Sequence, residues 1–191
     1  MKQNKAEKLL AGVLSISLAM GVGVMPAFAA QVQGPPYEDV SRVYLTKNYE
    51  LTNTGTLSPE ETFTFTIEPG TVTDASDSID AAKYMPIVGD VTYQQGDAGS
   101  ANKTRQIEIQ LPEYDSVGVY TYIIHEVAGN SAGVTYYGDA ILLRVTVIEQ
   151  DGKLRIAAVH TEGPESTGEG KKDDFDNLYS ACLLYTSPSP R

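Results

Sequence analysis

The chain has 191 residues and a formal net charge of −11. That length gives one domain of ordinary size plus a targeting segment. The acidic balance argues against a nucleic-acid partner or an anionic membrane surface. A single cysteine, Cys182, excludes an intrachain disulfide, so an exported domain of this kind needs some other reinforcement.

The N-terminus reads as a secretory signal peptide over residues 1–29. Lys2, Lys5 and Lys8 form its basic region, Leu9 to Val24 its apolar run, and Ala27-Phe28-Ala29 a cleavage signal after Pro26. The apolar run is short for a membrane span. Cleavage near Ala29 or Ala30 removes three lysines and Glu7, and takes the charge to −13. No second apolar span follows, so the mature fragment is expected to have none. Residues 30–41, with Gly34-Pro35-Pro36, are expected to form a flexible leader, and 42–181 a single domain.

From Arg42 the pattern is short alternating runs separated by Gly, Pro, Asp and Asn. The first strand, Tyr44 to Leu51, puts Val43, Leu45 and Lys47 on one face. A lone buried ammonium is costly. The plainer reading places Lys47 where the strand leaves the sheet, with its stem buried and its head in water. Thr62 to Ile67 is the second strand, with Phe63, Phe65 and Ile67 in phase and Pro69-Gly70 ending it. Thr71 to Ala82 is polar. Its acids, Asp74, Asp77 and Asp80, are spaced three apart, which is not a calcium loop.

Ile87 to Tyr93 is a third strand and Gln94 to Thr104 a loop. Arg105 to Leu111 alternates, with Ile107, Ile109 and Leu111 on one face, and Pro112 stops it. Gly118 to Val127 is apolar on both faces, as a central strand would be. Gly129 to Gly133 is a turn. Tyr136 to Glu149 carries Ile141, Leu143, Val145 and Val147 in phase, and Asp151-Gly152 signals a hairpin. Lys153 to His160 returns with Leu154, Ile156 and Ala158 in phase. Asp174 to Tyr179 closes the domain, with Phe175, Asn177 and Tyr179 on one face. About eight strands with turn signals between them predict an all-β sandwich. The last ten residues, 182–191, break from this composition. They read as an artefactual tail on an N-terminal fragment.

Three polar residues lie in phase with apolar ones on their own strands: Lys47, Glu126 and Asn177. In a sandwich the first and last strands can be neighbours. An amine, a carboxyl and a carboxamide would then meet in an apolar core. Burial lowers a lysine pKa and raises a glutamate pKa. A neutral amine is a nucleophile. Glu126 is expected to polarise the Asn177 carbonyl and pass a proton to departing ammonia. The product is an amide between Lys47 and Asn177. A Lys–Asp bond to Asp176 would lose water instead, but alternation turns Asp176 to the other face. The competing reading keeps Lys47 and Glu126 as an ion pair and Asn177 as a turn residue.

Three motifs carry a resemblance: YLTKNYELTNTGTLSPEETFTFTIEP from Tyr44 to Pro69, VGVYTYIIHEVAG from Val117 to Gly129, and FDNLY from Phe175 to Tyr179. In that order they resemble the streptococcal-type pilin isopeptide-linkage domain, an immunoglobulin-like module of Gram-positive surface and pilus proteins. The resemblance covers Arg42 to Ser180. It implies Lys47 and Asn177 as the cross-linked pair and Glu126 as the catalytic acid. It also implies other pilin subunits and sortase as partners, host surface ligands, and a cell-wall-anchored location. The family's sorting signal does not occur in these residues. Lys171 and Lys172 are candidate sortase acceptors, or else a solvated pair in a Gly/Glu loop.

No metal or cofactor is expected, since His125 and His160 make no ligand set. Asn102-Lys103-Thr104 matches a glycosylation sequon by chance. No nucleophile motif supports a secreted hydrolase. The domain is expected to be structural or adhesive, cross-linking itself once and turning over no substrate. The alternative is a secreted β-sandwich that binds matrix or carbohydrate without the cross-link. That function calls for exposed aromatics, whereas the chain has twelve Tyr and no Trp, and most of the Tyr fall within predicted strands.

Overall fold

The computed structural model describes residues 40–164 and 170–181. The expected signal peptide, most of the expected leader and residues 182–191 lie outside them. Eleven strands are present among the described residues: β1 (Arg42–Leu51), β2 (Glu61–Phe63), β3 (Phe65–Thr73), β4 (Ile87–Val88), β5 (Val91–Tyr93), β6 (Thr104–Gln110), β7 (Gly118–Glu126), β8 (Val134–Thr135), β9 (Ala140–Gln150), β10 (Lys153–Glu162) and β11 (Asp174–Tyr179). One sheet has the order β4-β6-β1-β11-β8, a second β10-β9-β7-β3, and β2 pairs with β5 apart from both. The core lies between the sheets. Leu45, Ile107, Ile109 and Phe175 come from the first sheet; Tyr120, Tyr122, Ile124, Ile141, Leu143 and Val145 come from the second. The all-β sandwich expected from the sequence is the observed fold.

The strand count exceeds eight for physical reasons. The Thr62–Ile67 run keeps its alternation, but its backbone changes partner at Thr64: Phe63 lies opposite Val91 on β5, and Phe65 lies opposite Glu126 on β7. The Ile87–Tyr93 run splits in the same way, with Ile87 opposite Gln110 on β6 and Val91 on the β2 side. The two-residue β8 precedes β9.

Pro69-Gly70 does not end β3, which runs on to Thr73 through a register shift between Pro69 and Val72. β3 is an edge strand, where a missing N–H costs little. Gly70 is needed there, because a Cβ would come 2.7 Å from the Thr121 carbonyl oxygen. On β10 a bulge between Ile156 and Ala158 reverses the phase, so that Val159, not Ala158, lies opposite Val145. The Asp151-Gly152 hairpin turn forms as its sequence predicts, with both residues at positive φ (54° and 72°).

The pairing that matters most is β1 with β11. It is parallel, with Lys47 opposite Phe175 and Tyr49 opposite Asn177. The first and last strands of the domain are therefore neighbours in the middle of one sheet. β7, which ends at Glu126, is central in the facing sheet.

Candidate functional site

Lys47 is not at a strand end. β1 continues four residues beyond it, and Tyr49 behind it is fully buried. The lysine side chain therefore points into the sandwich, and both Lys47 and Asn177 are 0% exposed. Glu126 arrives from the opposite sheet, its side chain equally inaccessible.

Lys47 Nζ donates to Glu126 Oε2 at 2.9 Å, to the Phe175 carbonyl at 3.3 Å, and to Asn177 Oδ1. Asn177 Nδ2 donates to Glu126 Oε1. The carboxylate thus spans the amine and the amide nitrogen of Asn177. This differs from the sequence expectation, in which Glu126 faces the carbonyl. Here that oxygen faces the lysine.

Burial pulls the Lys47 pKa down to about 8, although Glu126 works in the other direction. A usable fraction of the amine is therefore neutral near physiological pH. The amine also sits over the Phe63 ring, 4.3 Å from its centroid. Phe63 packs edge-on against Tyr49 and Tyr93, with centroids at 5.1 and 5.7 Å. Tyr93 Oη donates its one proton to the Lys47 carbonyl at 2.6 Å, with the Lys103 carbonyl 3.2 Å away as a weaker alternative acceptor. Loss of this enclosed hydrogen bond should make Tyr93→Phe cost about 1 kcal/mol of stability, measured by denaturant unfolding in a background that lacks any cross-link.

Alternation places Asp176 correctly. It faces outward, and Asn48 Nδ2 donates to its Oδ1 at 2.8 Å. His125 lies on the other face of β7, opposite Thr66 and Ala140. His160 is exposed, 3.5 Å from Glu162. Among the described residues no group of three or more His, Cys, Asp or Glu could hold a metal, and no helix is long and apolar enough to cross a membrane.

Lys171 and Lys172 lie apart from the buried triad. Lys171 is 70% exposed and paired with Asp173 at 2.6 Å, whereas Lys172 is 18% exposed between Asp174 at 3.0 Å and Asp176 at 3.4 Å.

Sequence reading missed Phe63 and Tyr93 as neighbours of the lysine. It also missed Glu61, a buried acid on β2. The signal was available: Glu61 is in phase with Phe63 and Phe65, as Lys47 is with Leu45.

Known proteins resemble this chain in sequence and in fold. Residues 43–180 match the family model of FctA, the Spy0128-like isopeptide containing domain. A pilin of Streptococcus pyogenes serotype M1 is 27% identical over 149 residues, which is 76% of this chain and 44% of that protein. The major pilin of Streptococcus pyogenes superposes with a TM-score of 0.55 at 25% identity, over 73% of this chain and 50% of that one. The T-13 major pilin from the same species gives 0.55 at 21% identity, over 74% and 53%. The chain thus spans about half the length of these relatives.

Proposed function

This chain belongs to the FctA family of Spy0128-like isopeptide containing domains, and from that premise we propose that it is a structural module of a pilus-type surface fibre, tied internally by an amide between Lys47 and Asn177. The observation that carries the reading is the closed contact of Lys47, Glu126 and Asn177, side chains from three strands and two sheets, all cut off from solvent.

The geometry supports a simple course. Neutral Nζ attacks Cγ of Asn177, whose oxygen already faces it. Glu126 takes a proton from Nζ at one carboxylate oxygen. It delivers a proton to Nδ2 at the other, because its two oxygens address the two nitrogens. The Nζ–Cγ bond forms, the Cγ–Nδ2 bond breaks, and ammonia leaves. Proximity in a packed core supplies much of the rate, since the fold has already brought the reactants together. The reaction runs once per chain, so the protein modifies itself and is not an enzyme with turnover.

Intact mass of the domain tests this. We expect it to be lighter than its sequence by one ammonia, and Lys47→Ala, Glu126→Ala or Asn177→Ala each to restore the full mass. Full mass in the unmodified domain would leave only an ion pair and end the reading.

A surface location and assembly with other pilin subunits through a sortase follow from the same premise. Of the two candidate acceptor lysines, Lys171 is the accessible one, with Lys172 held between two carboxylates. The matrix- or sugar-binding alternative draws little support. Tyr44 is the one exposed aromatic among the described residues, while Tyr49, Tyr84, Tyr93, Tyr120 and Tyr122 belong to the core.

A further inference from the structure

Six polar or charged residues are buried among the described residues. Three form the site above. Ser58 and Asp97 accept backbone N–H groups of the turn that follows β5. Glu61 remains, and the reaction does not use it.

Glu61 opens β2 and is 9% exposed. Both of its oxygens are engaged: Ser131 Oγ donates to Oε2, and Tyr136 Oη donates to Oε1 at 2.7 Å. Tyr136 Oη also accepts from the Ser131 N–H at 3.2 Å, which closes a ring of three groups. The packing around this ring is tight, since a Cβ on Gly129 would clash with the Tyr136 hydroxyl.

Ser131 and Tyr136 bracket β8, the outer neighbour of β11. Thr135 lies opposite Leu178 and Val134 opposite Tyr179, the two residues directly after Asn177. The Gly133 carbonyl accepts from Ser180 N–H at 2.8 Å. A strand of two residues cannot hold its place in a sheet unaided. Glu61 ties it down across 70 and 75 residues of sequence. Two residues along the same strand, Phe63 lies against the amine. One short strand therefore braces both reactants: the lysine through Phe63, and the asparagine through Glu61, β8 and β11.

We propose that Glu61 is a positioning residue for the amide-forming reaction. It holds β8 against β11 so that Asn177 stays seated between Lys47 and Glu126. This rests on the cross-link reading. Small displacements of a reacting group cost large factors in rate, so the brace should appear in kinetics.

The experiment follows the full chain after a short pulse of cell-free synthesis. Samples are quenched in denaturant, and the linked fraction is read by intact mass. Glu61→Ala is expected to link at least about tenfold more slowly than the unmodified chain. Glu61→Gln, whose amide can hydrogen-bond both hydroxyls, is expected to return to near the original rate with the same pH profile. Tyr136→Phe keeps the ring against Phe63 but removes the hydroxyl's bonds to Glu61 and to the Ser131 N–H, leaving Ser131 Oγ on Glu61, and is expected to fall between them. An original rate in Glu61→Ala overturns the proposal, as does a Glu61→Gln chain as slow as Glu61→Ala. If circular dichroism shows that Glu61→Ala fails to fold, Tyr136→Phe decides: slowing supports the brace, and the original rate overturns it. An unmodified chain that never loses ammonia overturns the cross-link reading itself and this inference with it. The other adverse outcomes remove only the role of Glu61.

Discussion

Replacing Lys47 with Met is expected to lower the stability of the domain by about 5 kcal/mol, read as a large drop in the guanidinium midpoint. Methionine keeps an unbranched apolar stem in the space the lysine occupies, so little packing is lost. What disappears is the proposed covalent closure of a loop of 130 residues between Lys47 and Asn177, the two side chains in contact. By the chain-entropy model used for disulfides, closing a loop of that length removes about 5 kcal/mol worth of freedom from the unfolded chain. Glu126→Ala should fall further. It loses the same bond and also leaves the Lys47 amine buried without its carboxylate. Protease resistance should follow the same order. A Lys47→Met domain with the original midpoint would mean that no bond was there to lose.

The consequence for a surface fibre is one of load path. β1 and β11 are parallel neighbours, and the proposed bond would join them near their middles. With that bond in place, tension entering before Arg42 and leaving after Tyr179 would cross from one strand to the other through an amide. The β-ladders of the intervening residues need not bear it. An amide is also indifferent to thiols, which suits a chain whose one cysteine lies in its last ten residues.

The strands that frame the site were legible because each has one face in the core and a clean alternation. On β1, Leu45, Lys47 and Tyr49 are buried while Tyr44 and Glu50 are exposed. On β11, Phe175 and Asn177 are buried while Asp176 and Leu178 are exposed. In that setting a polar residue in an apolar phase stands out, and three of them on separate strands define a chemistry. The missed features arise where alternation carries no information. Phe63 and Phe65 are both buried, so the pattern runs unbroken through Thr64, yet the backbone passes there from one pairing to another. A bulge at Ala157 shifts the phase of β10 with no local signal in an Ala-Ala pair. Glu61 escapes the pattern because the alternation of Thr and Phe begins at Thr62, one residue after β2 itself starts. Read from Glu61, the same test that found Lys47 finds a fourth buried polar residue. The facing of the Asn177 amide, oxygen toward the lysine and nitrogen toward Glu126, depends on a side-chain torsion that no sequence pattern encodes.

The rate of bond formation should rise with pH by roughly tenfold per unit below about pH 8 and level off above it. The nucleophile is the neutral amine, and burial pulls the Lys47 pKa from 10.5 to about 8. An amine in water would leave the rate climbing to above pH 10. The same shift sets a stability profile for any form of the domain that keeps the free amine, such as Asn177→Ala. Between about pH 8 and 10.5 the unfolded chain holds a proton on Lys47 that the folded chain has released. Stability must then rise with pH across that window. Below pH 8 the lysine is protonated in both states, and the fold carries the full cost of a buried ammonium. Once the amide forms, Lys47 no longer titrates, and this component should vanish from the unmodified domain. The measurement is a pair of urea titrations at pH 7 and pH 10, on the Asn177→Ala chain and on the unmodified one. Equal slopes of stability against pH in the two chains would show that Lys47 remains a free amine in the mature protein.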